Sequence, residues 1–392
     1  MTPATRALSR NLVLAVALLA LLAGGALLLA SPVLVSGLAA LLALAGVVVL
    51  HGNRWRSGAL VVMALAVATG LLDLFAGLFI AAPHGAGLVI TPEPFTWNLP
   101  NPDYGYLPRA GARIDASASF DGQTIYRATY TINADSTRAT PPAPDGADTY
   151  LFMGDSFMFG QGLNDDQTLA AQFARADDFK ARTVLFAAPG YAPNQWVRAL
   201  ELGKFDELGG GKVKAVVTWI IPAHLARVDG DQPWLGPTPR YVLQDGLPVH
   251  TGSFNQHRLT NPWAGLRHVA GDQFPFIRAI GMRQRQQAEG ELFTALMLRL
   301  QALARERLGA SLMAIYSWPD ETSGAHHDDS EVAQPMLVGL LAGLRQRGIP
   351  LLSVDSQTTG YDISRLLFPH DGHPNAFTNQ LIAAELKRRL IP

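Results

Sequence analysis

The sequence predicts an α/β domain built on a parallel sheet with helices on both faces, preceded by three transmembrane helices. Three observations predict this. Charged residues almost vanish over the first 82 positions, short apolar strands alternate with helical stretches from Thr149 onward, and polar motifs gather where those strands end.

The chain has 392 residues and a net charge of −1, and only 16% of its residues are charged. Soluble domains carry about 25%. Arg6, Arg10, Arg54, Arg56 and Asp73 are the only charged side chains in 1–82, which leaves 27 basic and 31 acidic residues for 83–392. The deficit is therefore local, and the remainder is an ordinary, mildly acidic soluble composition. There is no cysteine. That excludes a disulfide scaffold, a thiolate zinc site, an iron–sulfur cluster and a cysteine nucleophile. Near-neutral charge without Lys/Arg blocks gives no footprint for nucleic acid.

Asn11 to Leu50 carries no charged residue. A crossing needs about 20 apolar residues, so this run is long enough for two, with a turn at Ala30-Ser31-Pro32 where proline breaks the helical ladder. Gly58 to Ala82 makes a third span. A cleaved signal peptide is the alternative for the first run, but that stretch exceeds the ~7–15 residues of a signal h-region and two more spans follow. Arg6 and Arg10 precede span one, and Arg54 and Arg56 separate spans two and three. The positive-inside rule then puts the N-terminus in the cytoplasm and everything after Ala82 outside. Asp73 falls within span three and reads as a helix-packing hydrogen bond rather than a proton or substrate contact.

Residues 83–110, with Pro92, Pro94, Pro100, Pro102 and Pro108, read as an extended linker. Thr124–Asn133 is β-prone and suggests a small antiparallel element, so 83–146 forms a middle segment closed by Pro141-Pro142-Ala143-Pro144. The third segment is 147–392. Strands are expected at Tyr150–Met153, Thr183–Ala187, Val213–Ile221, Ser311–Ser317 and Pro350–Val354. Helices are expected near Asp166–Arg175, Asn194–Leu208, Glu291–Leu308, Glu331–Gln346 and Ala376–Leu390, with an irregular insertion over 228–287. Strands separated by helices of that length imply βαβ crossovers and a parallel sheet. In such sheets ligands bind beyond the carboxyl ends of the strands.

Three of those ends carry polar motifs. The first strand runs into Gly154-Asp155-Ser156-Phe157, which would present a hydroxyl, and the N–H groups of a helix start, at the sheet edge. The second ends in Pro189-Gly190-Tyr191, where glycine lets backbone approach a bound group. The last loop reads His370-Asp371-Gly372-His373-Pro374-Asn375. A serine hydroxyl needs a base to take its proton, and an imidazole base needs a carboxylate to hold its tautomer. Asp371 and His373 could supply both. Each motif alone is also an ordinary turn, and the three together on one sheet are what single them out.

Gly154–Phe157 with Phe159-Gly160-Gln161-Gly162 resembles block I of the SGNH/GDSL hydrolases. Pro189-Gly190 resembles their block II, and Asp371-Gly372-His373-Pro374-Asn375 their block V. The resemblance covers roughly 147–228 and 365–388. It implies a three-layer α/β/α fold and ester hydrolysis or acyl transfer through an acyl-serine, with Ser156 as nucleophile, His373 as base and Asp371 as its orienting carboxylate. The oxyanion hole would use the N–H groups of Ser156 and Gly190. The family's block III asparagine is missing from Trp219–Arg227, and His224 stands nearest to it, either as a substitute donor or as a local cap.

Asp355 is a second candidate for the orienting acid, though it reads more simply as a turn residue. His326-His327-Asp328-Asp329 reads as a solvated loop with a helix cap rather than a metal site, and nothing in the sequence calls for a metal or cofactor. Trp234, Tyr241, Phe254, Trp263, Phe274 and Phe276 in the insertion could form a sugar-stacking cap or a satellite hydrophobic cluster. The resulting expectation is an esterase or O-acyltransferase in the inner membrane with its domain outside. Its substrate would be acetylated glycan or glycoconjugate, and its partners the lipid bilayer and other membrane proteins of a polysaccharide-modification system. The alternatives are a lipid esterase and an inactive glycan-binding or scaffold module.

Overall fold

Five strands between Thr149 and Ser353 form one wholly parallel sheet. The computed structural model describes residues 53–79, 87–208, 211–230, 232–261, 263–265, 282–317 and 334–391, with positions 40, 43, 44 and 47. Side chains are described for these except at 69, 72–79, 282–285 and 334–336. The chain divides into two compact units, Met1–His84 with Asn261–Arg283, and Gly85–Thr260 with Gln284–Pro392.

In the first unit the long helix is α1 (Asn53–Phe79). Its Leu60, Val61, Val62, Leu65, Val67 and Leu71 are exposed. Among the described residues no helix is long and apolar enough to cross a membrane. Of the two earlier expected spans only positions 40, 43, 44 and 47 are described, and Arg6, Arg10 and the Asp73 side chain lie outside the described residues.

The second unit opens with β1 (Leu88–Thr91), β2 (Asn98–Asn101), β3 (Gly105–Pro108), β4 (Arg113–Phe120) and β5 (Gln123–Thr131). β2 and β3 form a hairpin, and β1, β4 and β5 an antiparallel sheet. Residues 87–110 of the expected linker are thus folded. Its Pro100 and Pro108 lie in a two-stranded ribbon, where a missing ladder donor is tolerated as on any edge strand. Asp121 and Gly122, both at positive φ, turn β4 into β5, the geometry a tight hairpin favours.

Then come β6 (Thr149–Gly154), α2 (Ser156–Phe159), α3 (Leu169–Ala176), β7 (Arg182–Ala187), α4 (Pro193–Glu201), β8 (Val213–Ile220) and α5 (Ala223–Val228). The insertion folds as a hairpin of β9 (Pro239–Gln244) and β10 (Leu247–Ser253) followed by α6 (Phe254–Thr260). Next are α7 (Met282–Leu308), β11 (Ser311–Tyr316), α8 (Gln334–Gln346), β12 (Leu351–Ser353), α9 (Val354–Thr358) and α10 (Ala376–Leu390). Side chains of β6 alternate between two cores, as strand geometry requires. Leu151 and Met153 pack with Trp196 of α4, Leu296 of α7 and Leu341 of α8. Tyr150 and Phe152 pack with Phe173 of α3, Ile382 of α10 and Tyr130 of β5. The result is a three-layer α/β/α domain, with one outer layer supplemented by the antiparallel sheet. In chain order the strands run 2-1-3-4-5 across the sheet, so the crossover direction reverses beside β6, where open α/β sheets hold their ligands.

Candidate active site

β6 ends at Gly154, where a Cβ would lie 2.1 Å from that of Met158. Only glycine lets the chain turn this tightly into α2. Asp155 caps that turn, accepting the Phe157 N–H at 3.0 Å. The helix is a single turn, closed by Gly160 in the left-handed conformation at φ +78°. Arg138, fully buried, holds the far end. It donates to the Phe159, Gly160 and Leu163 carbonyls and pairs with Asp165 at 3.2 Å. Ser156 therefore sits on a short, braced elbow at the carboxyl edge of the sheet, and is 6% exposed.

The loop before α10 is equally constrained. The Phe368 N–H donates to the His373 carbonyl at 2.9 Å, and the Gly372 N–H to Phe368 at 3.0 Å. Asn375 caps α10 through the Phe377 and Thr378 N–H groups. His373 Nδ1 is hydrogen-bonded to Asp371 Oδ1, and Nε2 lies 2.8 Å from Ser156 Oγ. Asp371 is acceptor-only when ionised, so Nδ1 carries the proton and Nε2 is free to accept the serine's. The structure thus brings Ser156, His373 and Asp371, 217 positions apart at the extremes, into one relay. The Tyr126 hydroxyl is buried beside Asp371, and among the described residues neither it nor Asp371 Oδ2 makes a hydrogen bond of good geometry. Burial first, and then the nearby Asp371 charge, push that phenol well above its ordinary value. Asp355 lies in α9, and the carboxylate on His373 is Asp371's.

Gly190 has φ +81°, and a Cβ there would meet Trp234 Nε1 at 2.5 Å and the Tyr106 hydroxyl at 2.9 Å. Tyr106 donates to the Pro189 carbonyl at 2.8 Å, and Tyr191 to the Tyr106 carbonyl at 2.6 Å, which pins this loop against β3. Among the described residues the N–H groups of Ser156 and Gly190 donate to nothing. They are the donors available to an oxyanion.

Of the two places the sequence allows His224, the structure shows the local cap. It is fully buried, edge-on to Trp196, and its Nδ1 accepts the Ile221 N–H at 3.1 Å. The ring's single proton is then on Nε2, which faces Asp155 Oδ2 at 3.2 Å. Its N–H is turned toward a carboxylate and is not available to an oxyanion. Burial lowers the His224 pKa, against the pull of Asp155. The same Asp155 oxygen takes Arg227 Nη1 at 2.7 Å. Burial alone would raise the Asp155 carboxyl, but the contacts to His224 and Arg227 outweigh it and hold it well below the usual carboxylate range. Arg227 supplies the positive charge, because a ring whose Nδ1 is an acceptor is neutral.

Arg138 and Arg227 have no assigned role in the sequence reading. Arg227 had a signal, since it stands three residues after His224 on one helical face, just beyond the third strand. Arg138 lies in an irregular stretch with no pattern to mark it. In the insertion, Tyr241 and Phe254 are core residues. Trp234, by contrast, stacks on Phe95 at 5.2 Å and borders Gly190. Trp263 is exposed and belongs to the other unit, while Phe274, Phe276 and His326–Asp329 lie outside the described residues.

No family model matches the chain, and no curated protein matches it in sequence. Solved structures do. An acetylxylan esterase from Geobacillus stearothermophilus is 12% identical, covers 63% of this chain and 96% of its own, and has a TM-score of 0.35. A member of the lipolytic G-D-S-L family from Veillonella parvula is 11% identical over 62% of this chain and 98% of its own, with a TM-score of 0.35. An α/β hydrolase from the metagenome of Lake Arreo is 15% identical over 62% and 95%, again at 0.35. In this chain Ser156 follows the first strand of the parallel sheet, and Asp371 and His373 precede the last helix.

Proposed function

We propose that this chain is an SGNH-type serine esterase acting through an acyl-serine. The observation that carries the reading is the relay from Ser156 Oγ to His373 Nε2, at 2.8 Å, and on to Asp371. His373 takes the serine proton as Oγ attacks the ester carbonyl, and the oxyanion settles on the Ser156 and Gly190 N–H groups. Collapse breaks the bond to the alcohol, which leaves with the proton from His373. Water, deprotonated by the same ring, then attacks the acyl-serine and releases the acid; a second alcohol in its place would make the reaction a transfer. Asp371 keeps the imidazole oriented and stabilises its charged form.

The substrate we propose is an acyl ester, acetyl above all, on a cell-surface glycan or glycoconjugate. Support comes from the aromatic pair Phe95 and Trp234 beside Gly190, with Phe95 39% exposed, an apolar face against which a sugar ring can pack. We also propose that the chain is anchored in the inner membrane by three helices with the catalytic domain outside. Support here is the uncharged run Asn11–Leu50, the apolar stretch Gly58–Ala82 and the placement of Arg6, Arg10, Arg54 and Arg56. A periplasm-dependent reporter fused after Pro392 should be active and one fused in 51–57 silent; the reverse overturns the topology.

The decisive experiment is hydrolysis of a small aryl acetate by the full chain, with fluorophosphonate labelling in parallel. Turnover and label should both disappear in Ser156→Ala, and turnover in His373→Ala. Labelling retained by Ser156→Ala would refute the nucleophile. A second reading, an inactive glycan-binding module, is favoured by one observation: His224 fills the place of the missing asparagine without offering a donor. Absence of hydrolysis at every pH would decide for it.

A further inference from the structure

The two N–H groups that would hold the oxyanion come from different loops. Ser156 follows β6 and Gly190 follows β7, so their spacing is a tertiary property that neither loop sets alone. α5, which follows β8, touches both. Arg227 Nη1 donates to Asp155 Oδ2 at 2.7 Å and to the Tyr191 carbonyl at 3.1 Å. Asp155 directly precedes Ser156, and Tyr191 directly follows Gly190. A single nitrogen therefore bridges the immediate neighbours of both donors.

The bridge is well placed to be stiff. Asp155 is fully buried and the Arg227 side chain is only 13% exposed, so the charge-assisted bonds act in a low-dielectric setting. Asp155 Oδ1 is already committed to the Phe157 N–H, which fixes the carboxylate to the first turn of α2. Tyr191 is anchored in turn through its hydroxyl on β3. Pulling on Arg227 would thus move backbone on both sides of the oxyanion position.

We propose that Arg227 is a positioning residue that sets the separation of the Ser156 and Gly190 N–H groups, doing by clamping what a block III asparagine does by direct donation. It acts through Asp155 and Tyr191 and need not touch the substrate. The proposal rests on the esterase reading for its consequence, but not for its geometry.

The test compares Arg227→Met, which keeps length without donors, and Arg227→Lys, which keeps the charge, in the full chain. With the aryl acetate, kcat should fall ~100-fold in the Met variant, the scale of losing one oxyanion donor, with KM nearly unchanged. The Lys variant should recover part of that loss. Hydrogen–deuterium exchange, measured on the same proteins, should rise in 154–160 and 188–193 and remain as in the wild type elsewhere. Wild-type kcat in a folded Met variant, or unchanged exchange in those two segments, would overturn the clamp. If the Met variant does not fold, the same two readouts on the Lys variant decide. Loosened loops in a chain that hydrolyses nothing even as wild type would uphold the clamp and refute the esterase reading.

Discussion

Gly190→Ala tests the oxyanion site at its most sensitive point. At φ +81° a non-glycine residue costs roughly 1–2 kcal/mol in backbone conformation. The added methyl would also stand 2.5 Å from Trp234 Nε1 and 2.9 Å from the Tyr106 hydroxyl. Neither neighbour yields easily. The indole is stacked on Phe95, and the tyrosine is bonded to Pro189. The backbone at 190 must therefore move or rotate, and its N–H leaves the oxyanion position. Losing one such donor is worth about 2.7–4 kcal/mol, or ~10²–10³ in kcat. Steady-state kinetics on the aryl acetate should show that loss with KM little changed, because the interaction is made in the transition state. Thermal unfolding should show a drop of a few degrees, from the backbone cost alone at about 2–4 °C per kcal/mol. In Gly190→Ala/Trp234→Ala the steric part is relieved, so turnover should return in part. Wild-type kcat in a folded Gly190→Ala protein would refute the assignment of this N–H.

Two further outcomes follow from the polar cluster behind Ser156. Because the Asp155 carboxyl is held below its ordinary value of 3.8, it contributes stability that is present above that value and lost as pH falls through the lower, folded one. Melting temperature measured from pH 6 downward should fall in the wild type, while Asp155→Asn should be less stable at pH 6 and lose less on acidification. His224→Asn should not raise turnover, since the position faces Asp155 rather than the oxyanion; a gain in kcat would show that a side chain there does reach the oxyanion site.

Much of the domain was legible in the sequence because its elements are set by local pattern. β8, Val213–Ile220, is apolar and β-branched over consecutive residues, as a strand covered on both faces must be, and it was readable to within a residue. α10, Ala376–Leu390, was expected over those same residues. Helix α7 begins nearer Met282 than the expected Glu291, because its first two turns, Met282–Gly290, carry little apolar periodicity. The segment 83–110 read as linker because proline and glycine dominate it, yet long-range contacts such as Tyr106 to Pro189 give it structure that no local signal encodes.

For the site the division is sharper. By itself the sequence determined which groups are available: a serine, an imidazole and a carboxylate on strand-end loops, a glycine after β7, and the lack of an asparagine after β8. Residue type and short spacing suffice for that. Which of them meet is a matter of tertiary structure. His373 reaches Ser156 only because α10 packs against α3 and carries its preceding loop to the end of β6. His224, which the sequence left as either an oxyanion donor or a local cap, is turned to Asp155 by the Ile221 N–H on its other nitrogen. Arg227, one helical turn on, reaches Asp155 and Tyr191 because β8 lies next to β6, the strand that delivers Asp155. Strand order is a long-range property, and the direction of a buried side chain follows from it.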